Sequence, residues 1–419
     1  MTTQVFIPAQ AMALLRPLLD HLCRHESDSA GHAYDPVKSP RLVEPLLVKN
    51  AFNPDVFGDA LLFELFEGMS AQAERAIGGL FRVYIDGMLS PRYENEVLFN
   101  MPRAHEGFEE FLNRVTDGRK FGVVINGAEQ WSDALARLAA RVFAPVVEAQ
   151  GASRSTIEVT LFIGNYGYTP FGIHIDDPYT SVVHFHLGPG SKAMTLFDKA
   201  NFHRINGQRK NCFEPERLIS HGRTFDIAPG DAFLLPPHWY HVGNTNCFSI
   251  GVACAVSKYP WPMVCDHMLK RAITEEPMLG SVAKVIAHAQ ASGCSLASWL
   301  QRSEREYLAR AGSRCQLRYA WMRNTHSTVE PDAHWVRDPD FPLTTLEMDD
   351  DLLVFVRGHR VRLARTDAST RLLQALPHNA FSARQLYQML AGKVSLDAVR
   401  ATLSQLIRFG GLHSVQAAS

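Results

Sequence analysis

Gly172-Ile173-His174-Ile175-Asp176 and, further along, Gly230-Asp231-Ala232-Phe233-Leu234-Leu235-Pro236-Pro237-His238-Trp239-Tyr240-His241 are the stretches on which the reading of this chain turns. In an extended strand, residues i and i+2 share a face, so His174 and Asp176 converge on one point while Ile175 turns into apolar packing. A histidine from a later antiparallel strand then closes the set. Two neutral imidazoles and one carboxylate suit a redox-active divalent metal such as Fe(II), and they leave coordination positions open for a bidentate co-substrate and O2. His238 competes with His241 for the distal position. Asp177 replaces Asp176 only if the strand slips register and turns its other face inward. His184 and His186, two apart on one strand face, form a rival pair with no nearby carboxylate, and read as packing or substrate-side residues.

Working outward, short strands follow one another between Gly and Pro punctuation. Ile157 to Ile163 is β-branched, and Asn165-Tyr166-Gly167-Tyr168-Thr169-Pro170 is a loop. Gly172 to Asp176 opens a strand, Val182 to Leu187 is the next, and Gly188-Pro189-Gly190 a turn. Thr224 to Ile227, the turn Pro229-Gly230-Asp231, Ala232 to Leu235 and Ser249 to Val256 complete the series. Such a run implies an antiparallel sandwich or barrel of the jelly-roll kind.

The segment from about Thr156 to Val256 resembles the JmjC and cupin-like branch of the 2-oxoglutarate-dependent oxygenases, through the His174 and His241 stretches above and through Lys192-Ala193-Met194-Thr195-Leu196-Phe197. The resemblance implies His174, Asp176 and His241 as iron ligands, with Fe(II), 2-oxoglutarate and O2 as cofactor and co-substrates. Lys192 looks like the basic residue that pairs with the far carboxylate of 2-oxoglutarate, a group that needs a cation once its oxo-acid end chelates the metal. Tyr166, Tyr168, Thr169 and Ser249 stand where the family places hydroxyls that assist co-substrate binding; satisfying local backbone groups is the alternative role for each. The reaction implied is hydroxylation, with demethylation where the attacked carbon sits on nitrogen.

The 419 residues suffice for two or three folding units, and 46% apolar content supports packed cores. A net charge of −1 gives no global drive toward nucleic acid or anionic membrane, and no segment approaches the apolar length of a membrane span. The seven scattered cysteines contain no C-x-x-C pair, which points to reduced thiols and, with Fe(II) chemistry, to a cytoplasmic protein.

Before the barrel, apolar periodicity predicts helices over Ala11 to Cys23, Asp55 to Glu67 and Ser132 to Gln150, a polar connection over Gly31 to Pro40, and strands at Glu44 to Phe52 and Gly122 to Gly127. After Val256, Pro260 and Pro262 mark a boundary, and Met263 to Arg310 reads as several helices, including Ser295 to Leu308. A hairpin over Leu352 to Leu363 precedes helices at Ser369 to Leu376, Ser382 to Ala391 and Ser395 to Phe409. This order resembles a winged helix.

Barrel, helical region and winged helix together resemble the ribosomal oxygenases, JmjC enzymes that hydroxylate ribosomal-protein side chains. The last module also looks like the precursor-peptide recognition domains of ribosomal peptide biosynthesis, which capture a leader by strand addition. With Asp397 beside Arg400 and Arg408, the third helix of that module carries too modest a basic signal for DNA, and nucleic acid is not an expected partner.

The expectation is an α+β chain: a helical segment over 1–45; a double-stranded β-helix barrel, the jelly-roll or cupin form, with helical insertions over 46–258; a helical linker or dimerisation region over 259–340; and a winged-helix-like module over 341–419. The expected function is Fe(II)/2-oxoglutarate-dependent hydroxylation of a side chain in a protein or ribosomally made peptide. A leader peptide or ribosomal protein would dock on the last module, and a homodimer is allowed. The alternatives are a small-molecule cupin oxygenase without 2-oxoglutarate and a metal-binding regulator with a winged-helix output.

Overall fold

The computed structural model describes residues 9–24, 43–77, 79–100, 102–103, 105–150, 155–275, 281–291, 295–322, 328–348, 350–391 and 393–415. The connection expected over Gly31 to Pro40 lies outside the described residues. Two compact units form, one within residues 9–258 and the other within residues 259–415.

The first unit contains strands β1 (Leu46–Val48), β2 (Phe81–Ile85), β3 (Met88–Leu89), β4 (Phe121–Ile125), β5 (Ser155–Gly164), β6 (Gly167–Tyr168), β7 (Thr180–Pro189), β8 (Lys192–Phe197), β9 (Arg223–Ile227), β10 (Ala232–Leu235), β11 (Tyr240–Thr245) and β12 (Ser249–Lys258). They make an eight-stranded sheet in the order β1-β10-β7-β12-β5-β4-β2-β3 and a four-stranded sheet in the order β6-β11-β8-β9. Every ladder in both is antiparallel. Helices α1 (Ala9–Arg24), α2 (Asp59–Ser70), α3 (Ala73–Ala76), α4 (Pro91–Phe99), α5 (Phe108–Val115), α6 (Asp133–Gln150) and α7 (Lys199–Asn206) accompany them.

Alternation along the strands decides which way each sheet faces. On β5, Ile157, Val159, Leu161 and Ile163 are fully buried. Leu161 stands opposite Ile125 and Ile125 opposite Phe81, and directly opposed residues share a face, so these belong to the outer side. Phe66 of α2 packs there on Phe81, and Phe108 and Phe111 of α5 pack on Phe66. The spacing Phe108, Phe111, Leu112, Val115 is a helical stripe that makes α5 legible in hindsight.

The two sheets close on each other through Met194, Leu196 and Ile227 from the smaller and Phe233 and Leu235 from the larger. The other face of the smaller sheet is sealed by Phe197, Tyr240 and Val242 against Phe202 of α7. Burial of each such side chain stabilises the sandwich by roughly 1.5–3 kcal/mol. The Pro229-Gly230-Asp231 turn pins the edge: the Asp231 carboxylate accepts from the backbone N–H of Asn50 and Ala228 and from Lys49 Nζ. Burial raises the Asp231 pKa, but these donors outweigh it and hold the carboxyl below its ordinary value.

The fold is therefore the expected jelly-roll, with differences in detail. The helix expected from Asp55 begins at Asp59, because Gly58 is extended and separates it from a 3-10 turn over Pro54–Phe57. The strand expected from Gly172 to Asp176 is a correction. Only two isolated bridges form there, Ile173 with Cys212 and His174 with His241. Gly172 at φ +66° turns the chain against the Cys212 carbonyl, and Asp177 Oδ1 accepts the Tyr179 N–H, which bends residues 175–179 away from any ladder.

The second unit contains α8 (Trp261–Glu275), α9 (Val282–Ala291), α10 (Leu296–Ser313), α11 (Asp367–Gln374), α12 (Ala383–Met389) and α13 (Leu396–Arg408), with strands β13 (His334–Arg337), β14 (Thr344–Met348), β15 (Asp351–Val356), β16 (His359–Ala364), β17 (Phe381–Ser382) and β18 (Leu412–Ser414). The side chains of Ser295, Ser382 and Ser395 cap α10, α12 and α13. The order α11, β17, α12, α13, β18 is that of a winged helix, with a core of Leu372, Leu386, Val399, Leu403 and Leu406. The expected hairpin is present as β15 and β16, turned by Arg357 and Gly358 in left-handed conformations. It belongs to a separate three-stranded sheet, β14-β15-β16, and not to the sheet β17-β13-β18 that carries the winged helix.

Candidate active site

His174 and His241 are fixed to each other by backbone before any side chain acts. Each donates its N–H to the other's carbonyl, at 3.1 and 2.8 Å, so both imidazoles leave the bridge on one face with ring centroids 4.4 Å apart. His174 Nδ1 lies 3.0 Å from the Gly172 carbonyl and His241 Nδ1 lies 3.4 Å from the Trp239 carbonyl. A carbonyl only accepts, so these contacts put the proton on Nδ1 and leave the Nε2 lone pair of each ring bare. Asp176 completes the group: Oδ1 is 3.7 Å from His174 Nε2 and Oδ2 is 3.8 Å from His241 Nε2. All three ligand atoms lie within 4.8 Å of one another, and among the described residues no other such group of three forms. Each His–carboxylate pair is close enough to share one ion at bond lengths of about 2.1 Å. Burial holds the His241 imidazole down to about 4, so it is neutral and able to ligate at physiological pH.

The residues fit a metal with open positions, and the surroundings are apolar. Phe171 packs edge-on against His174, and Phe162 and Tyr84 pack edge-on against Phe171. His238 stands outside the group, at φ +74° with its Nε2 buried and without a partner. Asp177 is spent on its turn.

Deeper in the same interior lies Lys192, at the start of β8. It is 4% exposed, its Nζ donates to Tyr166 Oη at 3.2 Å, and it sits 5.1 Å over the Phe162 ring. Among the described residues no carboxylate pairs with it. Burial brings its pKa down to about 8, and burial likewise pushes the Tyr166 phenol up. Thr169 Oγ1 is buried without a hydrogen-bond partner. Gly243 makes this cluster possible: a Cβ there would stand 2.7 Å from Lys192 Cε and 3.5 Å from Thr169 Cγ2. A buried cation with one neutral partner, beside an orphaned hydroxyl, is an arrangement completed by an anion.

Tyr168 packs with Phe197, Phe202 and Tyr240 on the far side of the smaller sheet, away from this interior. Ser249 is buried, with its hydroxyl 2.8 Å from that of Thr245. Thr245 gives its own proton to the Cys247 carbonyl, so the Ser249 proton goes to Thr245 and none remains for an anion. Two glycines that shape the interior, Gly243 and Gly251, carry no motif and escaped the sequence reading.

Among the described residues no helix is long and apolar enough to cross a membrane, and Cys212, Cys247, Cys254, Cys265 and Cys315 are free thiols.

No protein-family model matches the chain, and no curated protein matches it by sequence. Among solved structures it is similar to YcfD, a ribosomal oxygenase from Escherichia coli, in complex with cobalt and succinic acid: 13% identity over 91% of this chain and 98% of that one, TM-score 0.46. The same protein in complex with cobalt and 2-oxoglutarate gives 13% identity, 91% and 98% coverage, and TM-score 0.45. SnoK, a non-heme alpha ketoglutarate dependent carbocyclase from nogalamycin biosynthesis, gives 8% identity over 33% of this chain and 63% of that one, TM-score 0.25. Likenesses at this distance carry no argument about the chemistry of the present chain, which rests on its own residues.

Proposed function

We propose that the chain is an Fe(II)- and 2-oxoglutarate-dependent oxygenase that hydroxylates a side chain of a protein or of a ribosomally made peptide. The observation that carries this reading is the pairing of a His174–Asp176–His241 group with a buried Lys192 that has no carboxylate partner among the described residues, both in one sandwich interior. A cupin that used the metal alone would have no use for that cation.

In this reading the two Nε2 lone pairs and the Asp176 carboxylate hold the metal. Lys192, supported by Tyr166 and Thr169, holds the far carboxylate of 2-oxoglutarate. When bound, the iron and 2-oxoglutarate supply the oxidising power to hydroxylate an unactivated C–H bond with O2, releasing succinate and CO2. The chain's own work is positional. Backbone carbonyls of Gly172 and Trp239 fix the imidazole tautomers, Lys192 sets the depth and orientation of the dicarboxylate, and Phe162 and Phe171 keep water from the reacting carbon. A polypeptide substrate is inferred from the resemblance of the barrel, helical region and winged-helix order to ribosomal oxygenases. In this reading the second unit, residues 259–415, docks a leader segment or a ribosomal protein.

The test is anaerobic titration of the apoprotein with Fe(II) and then 2-oxoglutarate, following the weak visible charge-transfer band of the chelate. The wild type should develop the band, and Asp176→Ala should not develop it while keeping its far-ultraviolet circular dichroism. A protein that binds Fe(II) but gives no band with 2-oxoglutarate would sink the reading.

A further inference from the structure

The sandwich interior contains a second pair of imidazoles that the metal group does not use. Phe162 stands opposite Gly251, Gly251 opposite His186, and Ala253 opposite His184, so all five share the inner face of the larger sheet. Lys192 reaches that same face from the smaller sheet, since its Nζ lies over the Phe162 ring. His184 is 3% exposed, and its Nε2 is buried with no hydrogen-bond partner. Room for it is built in: a Cβ on Gly251 would fall 2.3 Å from His184 Cε1 and 2.8 Å from its Nε2.

The two imidazoles are not equivalent. His186 Nε2 lies 2.6 Å from the Gly190 carbonyl, so it spends its proton there and offers only a bare Nδ1 lone pair, which repels an anion. His184 has its proton to give. Burial, then the charge of Lys192 and the presence of His186, hold His184 far below its ordinary pKa, and it is a neutral donor. That matters for charge balance, because one carboxylate then meets one cation and one neutral N–H, with no second buried charge left over. A carboxylate has acceptor sites enough for Lys192, Thr169 and a further donor.

We propose that His184 is a second binding group for the far carboxylate of the co-substrate, donating from the wall opposite Lys192, with Gly251 as the residue that keeps its place open. The proposal rests on the reading of Lys192 given above, and the experiment separates the two.

The measurement is calorimetric binding to Mn(II)-loaded protein without O2, using 2-oxoglutarate and, as a ligand of equal chain length lacking the far carboxylate, 2-oxopentanoate. His184→Leu should weaken 2-oxoglutarate by about tenfold to a hundredfold, the loss expected for one hydrogen bond to a charged group, and leave 2-oxopentanoate within about twofold. His184→Gln, which keeps an N–H donor, should recover most of the loss. Gly251→Ala keeps every polar group but displaces the ring, and should behave like His184→Leu; it decides the question if the leucine variant does not fold. Unchanged 2-oxoglutarate affinity in His184→Leu, or an equal loss for both ligands, overturns the role of His184. Unchanged 2-oxoglutarate affinity in Lys192→Met overturns the far-carboxylate reading itself, and this proposal with it.

Discussion

Lys192 is the residue at which the proposed function is set against stability. An ammonium group held at a pKa of about 8 against an ordinary 10.5 costs the empty fold roughly 3 kcal/mol at pH 7. The folded value lies below the unfolded one, so that penalty is present in full below pH 8 and is relieved as pH rises from about 8 to about 10.5, where the unfolded chain alone holds the proton. Lys192→Met should therefore raise the melting temperature of the ligand-free protein by about 4–8 °C, after the lost hydrogen bond to Tyr166 is allowed for, while removing 2-oxoglutarate binding. A melting temperature that falls would mean the cation already has an anionic partner. The same pKa sets a pH profile. Co-substrate affinity should be level below about pH 8 and fall by up to about tenfold per unit above it, as Lys192 gives up its proton; titrations between pH 7 and 9 measure this, with a flat profile pointing to another anchor.

At the scale of elements, two glycines separate strain in the backbone from strain at the end of a side chain. Gly172 sits at φ +66°, and a Cβ there would lie 2.2 Å from the Cys212 carbonyl oxygen, which is fixed by its bridge to Ile173. Gly172→Ala should cost about 2 kcal/mol or more of stability and weaken metal binding, because His174 hangs from that bridge. Gly243 in β11 would instead meet the far end of a flexible lysine. Gly243→Ala should keep stability within about 1 kcal/mol and metal affinity near the wild type, yet weaken 2-oxoglutarate by about tenfold through a displaced Lys192. Chemical denaturation and calorimetry on the two variants distinguish these outcomes, and matched losses of metal binding in both would contradict the assignment.

For the molecule as a whole, every proposed ligand and anchor, from Tyr166 to Gly251, lies in the first unit. Ligand binding stabilises what it touches by mass action, about 2.7 kcal/mol at a hundred times the dissociation constant. Hydrogen exchange with Mn(II) and 2-oxoglutarate should slow in β7, β8, β11 and β12 and leave the amides of β14, β15 and β16 at their unliganded rates. Slowing in those second-unit strands would mean that the site extends beyond the residues assigned to it.

Most of the strand succession, the barrel and the types of residue able to hold a metal were legible in the chain alone, because period-two alternation and Gly and Pro punctuation are local. Lys192 was marked by the resemblance to the oxygenase family. Which atoms meet was settled by the fold. His174 and Asp176 converge without a regular strand, because Gly172 and the Asp177 turn hold them from outside it. Ser249 is spent on Thr245 and Tyr168 faces the wrong side, while the His184 ring fills the space beside Gly251 on the same sheet face as Phe162, the ring over which Lys192 stands. Those facts depend on registers between strands distant in sequence, and a hydroxyl, an imidazole or a glycine carries no mark of the partner that a ladder will set opposite it.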